Sequence, residues 1–205
     1  NIGEGSAGIG SYDLSYLVIG GGGSGGGWYR SGGGGAGGYR NSYASETSGR
    51  NSAAETPWNI KPGVVITATV GAGGAMSNQN NGTTGASSSI SATGQTQVLS
   101  YGGGGGARYT ESAVTGTYGS GAGAGHYTNN TTSGSDGTAA QGFDGGDVTV
   151  TNAIQQGATG GGAGANGQNG GTSSATAGGV GLSSYITGSD VFRAAGGGGG
   201  SYGSG

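Results

Sequence analysis

The residues able to do chemistry are few: one histidine, one lysine, no cysteine and nine carboxylates spread over 205 residues. Gly20-Gly-Gly22-Gly-Ser-Gly25 follows an apolar segment and formally matches a dinucleotide fingerprint. That fingerprint must open a helix and be followed by an acidic residue about 20 positions on. Here more glycine follows, then Trp28 and Tyr29, so the match is a product of composition. The only lysine, Lys61, stands between Ile60 and Pro62 and belongs to no phosphate-cradling G-x-x-x-x-G-K-[ST] loop. His126 has Gly125 before it and Tyr127 after it, with no ligand or partner nearby, and reads as a solvated loop histidine. No serine sits in a G-x-S-x-G elbow; Gly119-Ser-Gly121 and Gly203-Ser-Gly205 are the nearest echoes. Asp144 and Asp147, in Gly-Phe-Asp-Gly-Gly-Asp, are a weak calcium candidate resembling a nonapeptide-repeat turn. Without tandem repetition they read first as a fortuitous acidic turn. Nothing selects a carboxylate pair for glycoside hydrolysis. The sequons Asn81-Gly-Thr83 and Asn129-Asn-Thr131 arise by chance in asparagine-rich text. These residues predict a non-enzymatic chain with no cofactor.

What, then, holds the chain together? Glycine supplies 59 residues, while Leu, Ile, Val and Phe make up about 12%, below the roughly 20% that marks disorder when charge is also high. The charge condition fails, because six basic and nine acidic residues leave a formal net charge of only -3. A flexible linker is one reading; a fold held by backbone hydrogen bonds rather than a side-chain core is the other, and the one adopted. Five arginines, one lysine and a pI near 4.8 supply no basic stripe for nucleic acid. No stretch approaches the ~18 apolar residues of a membrane helix.

Two kinds of text alternate. Short β-branched segments at 12–19, 64–70, 88–92, 97–101, 147–151 and 185–187 predict strands, those at 64–70 alternating as in a half-covered antiparallel sheet. Between them lie glycine runs at 20–27, 32–38, 71–74, 102–106, 119–125, 157–164, 167–171 and 196–200. Glycine is poor in helices, no 3.6-residue apolar stripe exists, and only 191–195 could form a helical turn. Ordering glycine costs roughly 0.5–1 kcal/mol more than alanine, so dozens of ordered glycines need a gain open only to residues without a Cβ. Polyproline-II geometry offers one. It has three residues per turn and no internal hydrogen bonds, so each N–H and C=O points sideways to a neighbour. The predicted fold is irregular, all-β in its regular part: a polyglycine-II bundle with short antiparallel strands and essentially no α-helix. Glycine as mere filler of long turns is the alternative. Residues 1–11 read as an N-terminal attachment segment and 12–205 as a single glycine-rich domain.

Polar loops with scattered aromatics separate the runs, at 28–31, 39–61, 107–118, 126–136 and 165–168. If runs go back and forth, alternate loops gather at one end, and that end is expected to carry Trp28, Tyr29, Tyr109, Tyr118 and Tyr127. Tyrosine among Ser, Gly and Asn is the composition of adaptable recognition loops.

The succession of Tyr16-Leu-Val-Ile19 into glycine, Gly32-Gly-Gly-Gly-Ala-Gly-Gly-Tyr-Arg40, the segment from Ile60-Lys-Pro-Gly63 to Gly74, and Arg193-Ala-Ala195 into glycine closely resembles the glycine-rich domains of bacteriophage tail-fibre and tail-associated proteins. The likeness covers nearly the whole chain from about residue 12. More distantly the chain is similar to the tip adhesins of T-even-type phages. This resemblance implies a virion or extracellular protein that contacts a host cell-surface receptor, protein or glycan, through loops on stacked glycine helices. It implies neighbouring virion or fibre subunits as partners, further copies of the chain among them, with no nucleic acid and no membrane insertion. Receptor-contact candidates are Trp28, Tyr29, Arg30, Tyr109, Tyr118, His126 and Tyr127. The alternative is a structural subunit of an extracellular filament or virion decoration, self-assembling through its glycine-rich slab.

Overall fold

The computed structural model describes residues 10–76, 78–126, 131–149, 156–171 and 177–201. Their regular structure is nine short antiparallel strands and one 3-10 turn, Gly49–Asn51. Strands β1 (Tyr12–Leu14) and β4 (Trp58–Ile60) pair, as do β2 (Leu17–Ile19) and β3 (Tyr39–Asn41). A three-stranded sheet runs in the order β5 (Ile66–Thr69), β6 (Ser88–Ala92), β7 (Val98–Ser100). Strands β8 (Leu182–Ser184) and β9 (Val191–Arg193) form a separate hairpin.

The strands carry the main side-chain core. Tyr16, Val18, Trp58, Ile60 and Val98 are buried together, with Leu14, Ile90 and Ala92 packed against them. Tyr16 and Trp58 meet at a ring separation of 5.8 Å, tilted 56°, within the range of favourable aromatic pairs. A bidentate ion pair lies beside this core, Arg40 Nε–Glu55 Oε1 at 2.6 Å and Arg40 Nη2–Glu55 Oε2 at 2.7 Å. The Tyr16 hydroxyl donates to Glu55 at 3.0 Å. Burial, reinforced by the Glu55 charge, pushes the Tyr16 phenol up to about 12. A raised phenol stabilises the fold fully below the unfolded value near ~10 and less as pH rises through the folded one. Stability is therefore expected to fall between about pH 10 and 12, and Tyr16→Phe to make that alkaline slope shallower in denaturation curves collected against pH. An unchanged slope would contradict the assignment.

Strands pass directly into glycine runs. β2 leads into 20–27, which returns through 32–38 to β3; β5 leads into 71–74, which returns through 82–86 to β6; β7 leads into 102–106. The runs join laterally with a three-residue spacing. Gly20, Gly23 and Gly26 donate to the carbonyls of Gly38, Gly35 and Gly32; Gly32, Gly35 and Gly38 donate to Ala107, Gly104 and Tyr101. Run 32–38 also donates from Gly33 and Ala36 to Ala158 and Gly161, and accepts from Ser120, Gly123 and Gly197. These bonds, 2.7–3.1 Å long, satisfy buried backbone groups that would otherwise destabilise an interior with almost no side chains. Steric closeness has the same period. A Cβ on Gly20, Gly23 or Gly26 would collide with the carbonyl of Tyr101, Gly104 or Ala107, whereas one on Gly22 would find only Gly35 O, at 3.8 Å. Small gaps between runs are filled by methyl groups, in the clusters Ala107–Ala113–Ala122 and Ala124–Val148–Ala158.

Several sequence expectations need correction. The segment 12–19 is two strands in different sheets, because its halves pair with β4 and β3. Residues 39–61, read as a polar loop, contain β3, the 3-10 turn and β4; alternating Tyr39 and Asn41, Trp58 and Ile60 are buried against the core and the runs. Residues 185–187 lie in the turn of the β8–β9 hairpin, and Val191–Arg193 is a strand rather than a helical turn. In 147–151, Val148 makes an isolated bridge with Thr132; residues 150 and 151 lie outside the described residues, as do 1–9 of the attachment segment and Gly203-Ser-Gly205.

Candidate binding site

Run direction decides which loops meet. Gly103 and Gly106 donate to Gly21 and Ser24, so run 102–106 is parallel to 20–27; Gly104 and Ala107 donate to Ser120 and Gly123, so 119–125 is parallel to both. All three lead away from the strand end. The described residues that follow them therefore meet, together with residues 78–81, which Gly27 reaches through Asn80 O at 2.8 Å.

At this end Trp28 and Tyr29 are 50% and 43% exposed. Their rings lie 5.7 Å apart, and Tyr29 and Tyr109 lie 5.2 Å apart, all tilted. Trp28, Gln79, Arg108, Tyr109 and Thr110 line a cleft of about 190 Å³; Trp28, Tyr29, Asn78 and Gln79 line a second of about 230 Å³. Arg108 is clamped at 2.6 Å to Glu111, which also accepts from Asn81 Nδ2 at 2.9 Å. Chiefly through the Arg108 hydrogen bond, the Glu111 carboxyl is held below its usual range.

The backbone here is unusual. Trp28, Arg30, Gln79 and Thr110 have φ of 79°, 56°, 64° and 77°. Left-handed backbone is costly for residues with a Cβ, and is an outlier for bulky or β-branched ones. Such strain concentrates at binding sites, where the surrounding structure imposes it.

Two candidates are placed otherwise. Tyr118 opens run 119–125 at the strand end, is buried, and its ring lies beside Gly104; desolvation raises its phenol pKa. The sequence placed it at the tip because it borders a run, but the run starts rather than ends there. His126 does lie at the tip end, yet it is 3% exposed rather than solvated. Its amide donates to Arg30 O at 2.9 Å, and burial, then the Arg30 charge, lowers its pKa, which keeps the imidazole neutral at neutral pH. Tyr127, and Asn129 and Asn130 of the second sequon, lie outside the described residues. Missed were Asn78 and Gln79. Pairing run 71–74 with Gly82 and Gly85 as its return would have made 75–81 a tip loop.

The weighed calcium carboxylates are engaged internally. Asp144 receives both Arg50 Nη1 and Nη2 at 2.8 Å and the Gly137 amide at 2.8 Å; Asp147 accepts from the Gly134 amide at 2.8 Å. The Arg50 guanidinium also lies 5.3 Å from the Phe143 ring centroid. Hydrogen bonding to Arg50 is the main reason that the Asp144 carboxyl is held below its ordinary value. A depressed carboxyl contributes stability above the unfolded value near ~3.9, lost as pH falls through the lower folded value. Asp144→Asn is expected to reduce stability at neutral pH while flattening the decline below about pH 4. Denaturant titrations across pH check this; an unaltered acid limb would exclude Asp144 as its source. The fingerprint-like glycines are engaged too, with the Gly20, Gly21, Gly23 and Ser24 amides donating to neighbouring runs.

Short antiparallel strands feeding laterally bonded glycine runs define a glycine-rich domain. The family model for the glycine-rich domain matches residues 6–205, and the chain belongs to that family. No curated protein and no solved structure matches it.

Proposed function

We propose that the chain is a receptor-binding module of a bacteriophage tail fibre, exposed on the virion, that recognises the host cell surface through the aromatic tip. The observation carrying this reading is the convergence of Trp28, Tyr29 and Tyr109 on one end, over a backbone left-handed at Trp28, Arg30, Gln79 and Thr110. Large aromatic side chains left half-exposed on a fixed support contribute contact area with little entropy to lose on binding. The likeness to phage glycine-rich domains supplies the setting.

The same reading takes the runs as polyglycine-II helices. Three residues per turn account for donors, acceptors and forbidden Cβ positions that recur every third residue toward any one neighbouring run. Such a bundle keeps the loops in fixed relative positions. The test is saturable binding of the labelled, purified chain to a panel of candidate host bacteria, with competition by unlabelled chain. Competable binding that depends on Trp28 supports the reading; its absence across the panel, or indifference to Trp28, counts against it.

A further inference from the structure

The tip is not the only surface that stands out. From Pro62 to Ala107 the sequence contains no charged residue, and this stretch forms the β5–β6–β7 sheet with the runs around it. Among the described residues, β5 is an edge strand, hydrogen-bonded to β6 alone. All four of its residues are exposed, and its surroundings are apolar: Val65 is 79% and Val70 87% exposed. The edge continues into run 71–74, where Ala72 and Gly73 are exposed and their N–H groups donate to no backbone carbonyl among the described residues.

Open edges of this kind are templates for another strand, and proteins ordinarily blunt them with lysine, proline or a bulge. The other pairs have such protection nearby. Asp13 lies within β1 and Lys61 follows β4; Arg40 lies within β3; Asp190 precedes β9, and Arg193 ends it. Residues 63–76 contain no charge and no proline.

We infer that this edge joins two copies of the chain, β5 against β5, antiparallel about a two-fold axis through segment 64–70. The partner must be uncharged, since a charge brought onto this surface would be desolvated without a counter-charge. A second copy meets that condition by identity. Antiparallel pairing of one edge with itself is isologous, so both edges are used and assembly stops at two. It also sets Val, Ile and Thr side chains opposite one another, favourable cross-strand partners. Runs 71–74 of the two copies then lead away in opposite directions, and the tips face opposite sides of the joint. None of this rests on the tip's binding role.

Sedimentation velocity of the 205-residue chain tests the inference. At high micromolar concentration the mass is expected to be twice the 19.0 kDa of one chain. Thr67→Lys, on an exposed strand position, sets like charges near the two-fold axis, and is expected to weaken the dimer at least about tenfold while leaving circular dichroism, and melting at concentrations where the chain is monomeric, unchanged. Because the chain has no cysteine, single-cysteine variants report geometry directly. Thr67→Cys or Thr69→Cys is expected to oxidise to a covalent dimer, and Phe192→Cys, exposed on β9 away from the joint, to form no covalent dimer. A chain that stays at 19.0 kDa throughout, a dimer indifferent to Thr67→Lys, or equal crosslinking through Phe192 would each overturn it. Trp28→Ala is expected to leave the dimer intact, which separates this result from failure of the tip reading.

Discussion

Gly23→Ala is expected to disrupt the fold, while Gly22→Ala, one residue earlier in the same run, leaves it intact. Gly23 turns its Cα toward run 102–106, and an added methyl would overlap the Gly104 carbonyl. The obstructing atoms are backbone, already fixed by bonds from Gly35 to Gly104 and from Gly104 to Ser120. No rotamer change can relieve them. Overpacking of side-chain cores costs about 1–3 kcal/mol, and an immovable backbone places Gly23→Ala at or above about 3 kcal/mol. In a chain of this size that is a fall of roughly 6–12 °C in Tm. At Gly22 the same methyl meets only Gly35 O at 3.8 Å, an ordinary contact. With less entropy in the unfolded chain, Gly22→Ala is expected to be neutral or to stabilise by up to about 1 kcal/mol. Thermal melts followed by circular dichroism decide the matter. Equal effects at the two positions would mean that the runs are not packed at three-residue spacing.

The second large effect concerns function. Trp28→Gly is expected to weaken cell binding by at least about 30-fold, the consequence of losing a hot spot of roughly 2 kcal/mol or more. Stability should hardly change. Removing a Cβ from left-handed backbone gains about 1–2 kcal/mol. Loss of the Tyr29 ring contact, about 0.5–1.5 kcal/mol, and greater unfolded-chain entropy, about 0.5–1 kcal/mol, oppose that gain. Titration of labelled chain onto cells, alongside melting curves, separates the two quantities. Binding that survives with the fold intact would show that Trp28 is an exposed aromatic without a partner. Loss of binding together with the fold would leave the companion Trp28→Ala, which keeps a Cβ, as the variant to compare.

How far were these features legible beforehand? Strand β6 was read at its true bounds, 88–92, where short polar residues flank Ile90 between the turn signals at Gly85 and Gly94. β3 and β4 escaped because Tyr39-Arg-Asn and Trp58-Asn-Ile are too short to show a period. Their apolar residues are buried by contacts with Tyr16, Val18 and the runs, far away in sequence. Trp28, Tyr29 and Tyr109 could be placed at one end from run order alone. Tyr118 could not, because a residue bordering a run stands at its start or its end according to the direction of travel, which only the lateral bonds reveal. His126 shows the same limit: its neighbours in sequence are glycine and tyrosine, and its burial comes from Arg30 and the converging loops.

The sequence by itself determined that the body is made of glycine, that regular structure is short and antiparallel, and that the scarce large side chains lie in the strands and loops between the glycine runs. These follow from local chemistry: glycine omits the Cβ that would hold backbones apart, and β-branched residues favour extended chain. Tertiary structure decided how many faces of each run are covered. Run 32–38 is surrounded and carries nothing larger than alanine, whereas run 82–86 admits two threonines and requires glycine only at Gly82 and Gly85, where a Cβ would meet Ser24 O and Gly21 O. Bonds and close contacts to a given neighbouring run recur every third residue, and which positions of a run meet another backbone depends on neighbours distant in sequence.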